Sequence, residues 1–135
     1  MVPFAGYDMP VKYPLGTKKE HLHTRSDCGI FDVSHMGQTR FRGKHAAELL
    51  ERATVVDTKA LKPGQAALSL IMTEKGTIKD DCIITKVTED EFYVVINAGC
   101  KVTDLQHFNK VIDAEFKGKD INIQVYDDDY SLIAI

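Results

Sequence analysis

The sequence of 135 residues contains no tryptophan and only three cysteines, Cys28, Cys82 and Cys100. The cysteines are far apart and include no C-x-x-C pair, so a disulfide framework is not indicated and a reducing compartment is favoured. Free cysteine behaves as a small hydrophobic side chain, so each of the three is predicted to be buried.

Long hydrophobic runs and concentrated positive charge are missing as well. No apolar run approaches the roughly 18 residues needed to cross a bilayer, so no membrane partner is predicted. The net charge is -3 and the basic residues are spread along the chain, which argues against nucleic acid as a partner. Residues 1–7 also lack the basic and apolar regions of a secretory signal. The composition, 44% hydrophobic and 27% charged, is typical of a soluble globular domain.

The common signatures of catalytic and nucleotide-binding sites are absent. The sequence has no G-x-G-x-x-G, no phosphate-binding glycine-rich loop, no H-E-x-x-H and no G-x-S-x-G motif. His21 and His23 are two residues apart on a predicted helix and point to different faces, which is a poor arrangement for metal ligands. His35 could act as a ligand or a base, but a structural, hydrogen-bonded role is favoured. No metal site is predicted.

The hydrophobic periodicity that is present predicts an α+β fold. Apolar residues recur at three- and four-residue steps over 101–116, the clearest helix, and the polar residues 88–90 connect two strands as a hairpin. The predicted helices are 17–28, 44–53 and 101–116, and the predicted strands are 30–33, 36–41, 67–73, 81–87, 91–97, 121–125 and 131–135. This order predicts a largely antiparallel sheet with helices packed on it.

The two ends of the chain carry further signals. Residues 1–16 contain Pro3, Pro10 and Pro14 and are predicted to lie extended against another surface. Thr17 is predicted to cap the first helix, because its hydroxyl can accept a hydrogen bond from a free amide of the first turn. The chain stops inside the apolar run 131–135. We therefore expect a fragment whose missing part supplies the partner of the last strand.

The acidic pair Asp80-Asp81 begins an apolar strand. Adjacent strand residues point to opposite faces, so one aspartate faces solvent and the other faces the side that holds Ile83 and Thr85. An inward carboxylate is costly without a partner, which suits a group that binds a nitrogen-rich ligand. The alternative is that both acids belong to a turn and stay solvated, because aspartate is common in turns.

Asn97 ends the next predicted strand. If 81–87 and 91–97 pair as a hairpin, Asn97 lies near Asp81. An amide and a carboxylate together offer hydrogen-bond donors and acceptors to a heterocycle. By itself, an asparagine at the end of a strand is usually part of a turn.

Four short runs occur in order along the chain: MVPFAGY at 1–7, GIFDVSHM at 29–36, GTIKDD at 76–81 and VVINA at 94–98. Together they resemble the aminomethyltransferase (T-protein) family of the glycine cleavage system. Each run alone is weak evidence, but the likeness covers essentially the whole chain.

The resemblance implies a three-domain cloverleaf with folate at its centre. In that arrangement, residues 1–35 form the N-terminal part of the first folate-binding domain. Residues 36–127 form an α+β second domain, and residues 128–135 form a return strand into the first. Further folate contacts of the family lie beyond residue 135, so little activity is expected from this chain alone.

The resemblance also implies a reaction and its participants. Enzymes of this family take the aminomethyl group carried on the lipoyl arm of the H-protein. They pass the one-carbon unit to tetrahydrofolate, which gives methylenetetrahydrofolate and ammonia. The implied cofactor is therefore tetrahydrofolate, and the implied partners are the lipoylated H-protein and other glycine cleavage components. The implied location is the mitochondrial matrix in a eukaryote or the cytoplasm in a bacterium.

The family's site residues carry over onto particular positions of this sequence. The catalytic, folate-contacting aspartate falls on Asp81, where it holds and polarises the pterin for attack by a folate nitrogen. The folate-binding positions fall on Met36, Asp81, Ile83, Thr85, Val95 and Asn97. The sequence departs from the family at Leu68, where some members have an aromatic residue, and at Arg40, an apolar contact elsewhere. Asp80 is left as a turn residue.

Two other interpretations remain open. One is a non-catalytic folate-binding module, as found fused to demethylating dehydrogenases or in iron–sulfur assembly proteins, which shares the fold and some pocket residues. The run at 32–36 and the short N-terminus favour the transferase. The other is a plain α+β interaction domain, which the four ordered motifs disfavour.

Overall fold

A computed structural model describes residues 1–126 and 129–135. Within these residues the α-helices are α1 (Thr17–Ser26), α2 (Ala46–Ala53) and α3 (Lys101–Glu115), and a 3-10 turn, Ala98–Cys100, precedes α3. The strands are β1 (Val2–Phe4), β2 (Tyr7–Met9), β3 (Phe31–Asp32), β4 (Gly37–Arg42), β5 (Ala66–Met72), β6 (Ile78–Thr88), β7 (Glu91–Ile96), β8 (Asn122–Val125) and β9 (Ile133–Ala134). None of the helices in these ranges is long and apolar enough to cross a membrane.

The main sheet has five strands in the order β5-β6-β7-β4-β8, and every neighbouring pair is antiparallel. Two small antiparallel ribbons, β1-β2 and β3-β9, lie outside it. The predicted α+β class with a largely antiparallel sheet is therefore confirmed. The predicted boundary between residues 127 and 128 falls outside the described residues.

The core lies between one face of the sheet and the helices α2 and α3. Alternate residues of β6 and β7 point into it, as the two-residue period of a strand requires. Helix α2 is amphipathic, and the residues it buries are Ala46, Leu49, Leu50 and Ala53. The ring of Phe108 on α3 meets that of Phe41 on β4 edge-on, with centroids 4.9 Å apart. No helix of the described residues packs on the other face of the sheet, and we call it the open face.

The first 26 residues differ from the sequence prediction in two ways. Residues 1–16 are not simply extended, because β1 and β2 pair as a hairpin. Its turn places Ala5 at φ 50° and Gly6 at φ 86°, and an alanine at positive φ hides the usual hairpin signal. Thr17 does not cap α1. The N-cap is Gly16, and it makes no side-chain capping bond.

The last strand finds its partner within the chain. Strand β9 pairs with β3, with Phe31 opposite Ala134 and Asp32 opposite Ile133. The expectation that missing sequence supplies this partner is therefore wrong. The pairing links residues about a hundred positions apart, which local sequence patterns do not reveal.

Gly43 is a position where backbone geometry requires glycine. Its φ is +121°, and a Cβ there would lie 2.3 Å from the carbonyl oxygen of Asp120. We expect Gly43→Ala to lower the free energy of unfolding by about 2 kcal/mol or more, because strain and a backbone clash act together. Gly99→Ala is the control, since a Cβ at Gly99 meets nothing within 4 Å. Urea unfolding of both variants checks this, and equal losses would contradict it.

Candidate functional site

Strand β6 places the two aspartates on opposite faces of the sheet. As predicted, Asp81 shares a face with Ile83 and Thr85, but this is the open face. The prediction that Asp81 is the inward carboxylate is therefore wrong, because α2 and α3 cover the other side. Asp80 points toward the helices with Cys82. It is not a turn residue, since it lies within β6 opposite Ile71.

Asn97 lies between the two aspartates. Its Nδ2 donates to Asp80 Oδ1 at 3.0 Å and to Asp81 Oδ1 at 2.9 Å. The predicted proximity of Asn97 to Asp81 is confirmed by the second bond. Both neighbours accept hydrogen bonds, so the amide nitrogen must face them, and the Asn97 Oδ1 points away from the pair. The arrangement leaves an amide oxygen and part of a carboxylate available to a ligand.

An apolar strip crosses the open face beside this polar group. Leu68 on β5 lies opposite Ile83 on β6, and Ile83 lies opposite Val95 on β7. Leu68 is 73% exposed and Ile83 is 45% exposed. Large aliphatic groups exposed in a row are suited to covering a flat ring. A strip with a carboxylate and an amide at one end can therefore hold a ring that has a polar edge.

The remaining predicted residues flank this region. Thr85 lies further along the open face, opposite Tyr93 of β7. Met36 is half-buried and immediately precedes β4. The first residue of β4, Gly37, pairs with Ile96, so Met36 lies at the end of β7 that carries Asn97. The open face thus carries Asp81, Ile83, Thr85 and Val95, and Asn97 and Met36 lie at one end of it.

Sequence reasoning missed a second part of the open face. A cavity of about 410 Å³ is lined there by Arg40, Arg42, Tyr93, Tyr126 and Tyr130, among others. Arg40 and Arg42 both bond to the carboxylate of Glu91, and the Arg40 bond is the main cause that lowers the pKa of Glu91. These three side chains together carry one net positive charge. The sequence pattern that could have predicted this cavity is Arg40-Phe41-Arg42, in which two arginines on one strand face flank a core residue.

A further cavity, of about 380 Å³, lies beside α3 on the helix side of the sheet. Its charged groups are already paired with each other. Arg52 and Glu115 are 2.7 Å apart, and Lys110 and Glu74 are also 2.7 Å apart. We assign it no part in the candidate site.

The comparisons with known proteins bear on the whole chain. Residues 1–135 match the model of the family described as the GCVT N-terminal domain. The chain belongs to this family. The resemblance to glycine cleavage aminomethyltransferases is thereby confirmed.

Three relatives illustrate the extent of the match to the GCVT domain. The mitochondrial aminomethyltransferase of Dictyostelium discoideum is 49% identical over 139 residues, which cover 100% of this chain and 34% of the relative. The human mitochondrial aminomethyltransferase is 44% identical over 128 residues, which cover 94% of this chain and 32% of the relative. A crystal structure of glycine cleavage system aminomethyltransferase T from Bartonella henselae superposes with a TM-score of 0.82 at 40% identity. The superposition covers 92% of this chain and 33% of the Bartonella chain. The chain spans about a third of these relatives' length.

The GCVT domain holds an unusual electrostatic arrangement beneath the candidate site. Burial opposes ionisation of Asp80, but the hydrogen bond from Asn97 and further polar contacts outweigh it and lower its pKa. Burial, and then Asp80, raise the pKa of Asp104 on α3 to about 7. Cys100 lies against Asp80, which raises the pKa of its thiol. The pKa values of two neighbouring carboxyl groups are thus shifted in opposite directions.

The predictions for the three cysteines and for His35 are confirmed only in part. Cys82 is buried as predicted, and burial raises its pKa to about 12, so its thiol stays protonated. Cys28 is exposed and Cys100 is half-buried, against prediction. His35 packs edge-on against Phe4, but its buried Nδ1 has no hydrogen-bond partner among the described residues. Within those same residues, no group of three or more candidate ligands could hold a metal ion.

Proposed function

We propose that this GCVT domain forms the N-terminal third of a tetrahydrofolate-dependent aminomethyltransferase of glycine cleavage. The reaction transfers the one-carbon unit from the aminomethyl-lipoyl arm of the H-protein to tetrahydrofolate. Two bonds form between the carbon and folate nitrogens, while its bonds to sulfur and to the amino nitrogen break. The two protons from the folate nitrogens end on the lipoyl thiol and on ammonia, and the products include methylenetetrahydrofolate.

The observation that carries this proposal is the polar group at the end of an apolar strip. We assign the catalytic role to Asp81, whose carboxylate accepts from Asn97 and remains exposed on the open face. A pteridine presents N–H donors and ring acceptors along one edge, which the Asp81 carboxylate and the Asn97 amide oxygen complement. Held in this way, the folate nitrogen is positioned for attack, which is a large source of rate acceleration.

The other contacts are assigned by their place on the same face. Ile83 and Val95 cover the ring, Thr85 extends the surface, and Met36 closes the end beside Asn97. Leu68 adds an aliphatic group opposite Ile83. Apolar cover with a few directed polar groups is the usual composition of a cofactor site.

The domain division of the family is proposed for this chain as well. Residues 1–35 and 128–135 then belong to a first folate-binding domain, and 36–127 to a second, within a three-domain cloverleaf. The pairing of β3 with β9 supports this division, because it joins segments from both sides of the 36–127 unit.

The proposed partner is the lipoylated H-protein, with the other glycine cleavage components. The proposed location is the mitochondrial matrix, supported by the Dictyostelium and human relatives, both named as mitochondrial. The bacterial cytoplasm is the alternative, since the similar structure from Bartonella henselae comes from a bacterium.

The direct test is an assay of the full-length protein that contains this chain. It supplies aminomethyl-lipoyl H-protein and tetrahydrofolate, and measures methylenetetrahydrofolate and released ammonia. Formation of both in equal amounts, dependent on both substrates, is the expected result. Tetrahydrofolate binding without transfer would overturn the proposal and favour a non-catalytic folate-binding module.

We expect the 135-residue chain to bind tetrahydrofolate at least about tenfold more weakly than the full-length protein. An open sheet face covers only one side of a ligand, whereas cofactor sites bury most of the ligand surface. Isothermal titration calorimetry of both forms measures the difference. Equal affinities would show that the rest of the protein contributes no folate contacts.

A further inference from the structure

Asp104 is a fully buried acid without a conventional partner. It lies in the first turn of α3 and its side chain is 0% exposed. Neither of its carboxyl oxygens receives a hydrogen bond from any donor in residues 1–126 or 129–135. A buried ionised carboxylate in this state is costly, so the group must be neutral or share a proton.

Asp80 is the group that faces it. Asp80 Oδ1 accepts from Asn97, but the buried Oδ2 has no donor in the described part of the chain. After burial, the hydrogen bond with Asp80 is the largest cause that raises the pKa of Asp104, so the two carboxyl groups face each other. Ionised carboxylates only accept hydrogen bonds, so these two can bond only when one of them carries a proton.

We propose that Asp80 and Asp104 share one proton at neutral pH, and that this carboxyl pair is a positioning device that fixes Asn97 and, through it, Asp81. The link to catalysis rests on the proposed function of Asp81. The proton sharing itself does not, and it can be tested without folate.

The positioning follows from how the oxygens and N–H groups are used. The shared proton commits Asp80 Oδ2 to Asp104, which leaves Oδ1 to accept from Asn97. One Asn97 N–H then goes to Asp80 and the other to Asp81, at 3.0 and 2.9 Å. The amide cannot rotate without breaking both bonds. Loss of the proton would place two negative charges face to face beneath Asn97.

Groups on three elements set the range in which the pair titrates. Strand β6 contributes Lys79, Asp80, Asp81 and Cys82, the turn before α3 contributes Cys100, and α3 contributes Asp104 itself. Burial and the two β6 carboxylates raise the pKa of Asp104 to about 7, while Lys79 opposes them. The pair therefore loses its proton within the physiological range, and its two apparent pKa values belong to the pair.

The sign of the effect on stability follows from linkage. Between the ordinary carboxyl value of 3.8 and about 7, the folded chain holds a proton that the unfolded chain has released. The stability due to this proton is present at low pH and is lost as the pH rises through 7. Asp104→Asn removes the titrating group but keeps an N–H donor for Asp80. We therefore expect the melting temperature of this variant, relative to wild type, to rise between pH 4 and 8.

The primary test is a pH titration of the unmodified chain with ¹³C-labelled aspartate carboxyl groups. Asp104→Asn and Asp80→Asn spectra assign the pair. The expected result is one step near pH 7 that Asp104→Asn abolishes and Asp80→Asn moves to lower pH, with the Asn97 side-chain amide signals of the unmodified chain shifting at the same midpoint. Titration of both groups near 3.8, or Asn97 signals indifferent to that step, would overturn the proposal.

The functional half is tested in the full-length protein by kcat/KM for tetrahydrofolate. Asp104→Leu, which has no donor, is expected to lose about tenfold, the effect of one hydrogen bond to a charged group. Asp104→Asn is expected to recover most of this, and its activity relative to wild type should increase from pH 6 to 8.5. Equal losses in both variants, with no pH dependence of that ratio, would reject the positioning role. If Asp104→Leu does not fold, the Asn ratio alone decides.

If the titration step is found but the full-length protein has no transferase activity, the proton-sharing pair stands and the proposed function fails. If transfer is found without the step, the reverse holds. The two outcomes are therefore distinguishable.

Discussion

Asp81→Asn is expected to lower kcat/KM for tetrahydrofolate in the full-length protein by about a hundredfold or more. The substitution keeps the size of the side chain and its bond from Asn97, but replaces a charged acceptor with a neutral amide. The amide nitrogen would face an N–H group of the pterin, so the ligand would be held in the wrong position. Steady-state assay with aminomethyl-lipoyl H-protein measures the loss.

Asp80→Asn is the matched control for this prediction. An asparagine at this position can accept from Asn97 through its oxygen and donate to Asp104 through its nitrogen, so the buried contacts are retained. We expect a loss of about tenfold or less. A greater loss from Asp80→Asn than from Asp81→Asn would contradict the assignment of Asp81 to the ligand.

Leu50→Ala is expected to lower the free energy of unfolding by about 3 kcal/mol or more. Leu50 on α2 is 0% exposed, and removing a buried leucine loses transfer free energy and leaves a cavity. Leu68→Ala is the same substitution at a residue that is 73% exposed, and we expect a change within about 0.5 kcal/mol. Urea unfolding, followed by circular dichroism, measures both.

The same pair of variants separates stability from ligand binding. If Leu68 covers the pteridine ring, Leu68→Ala should weaken tetrahydrofolate binding to the full-length protein by a few-fold while leaving its stability unchanged. The substitution removes three carbon atoms, but on the open face they cover only one side of the ring, so we expect less than the roughly tenfold effect of one methylene in an enclosed pocket. A loss of stability without a loss of binding would place Leu68 against another part of the protein.

The sequence does not predict which face of β6 points into the core. The strand itself was predictable, and Asp81 was correctly grouped with Ile83. However, Ile83 and Ile84 are adjacent and equally apolar, so alternation does not tell which face is inside. Only the packing of α2 and α3 decides this, and it buries Ile84. A strand with apolar residues on both faces has an ambiguous inward side.

Asp104 illustrates a second limit. In the sequence it is an acidic residue in the first turn of a helix. At this position a carboxylate interacts favourably with the helix dipole and normally stays solvated. Its burial arises from the position of α3 over the sheet, which no local pattern encodes. The core residues of α2, in contrast, were predictable because their helical spacing leaves one consistent apolar face.

The β3-β9 ribbon has a consequence for how this protein can change. Because Asp32 lies opposite Ile133, the long segment between them leaves and re-enters its flanks at neighbouring points. A segment with adjacent ends can be lengthened, exchanged for a related one or inserted into another chain without pulling its flanks apart. The five-stranded sheet with its helices can therefore be replaced as one unit. Its open face can change in this way while the β3-β9 ribbon stays the same.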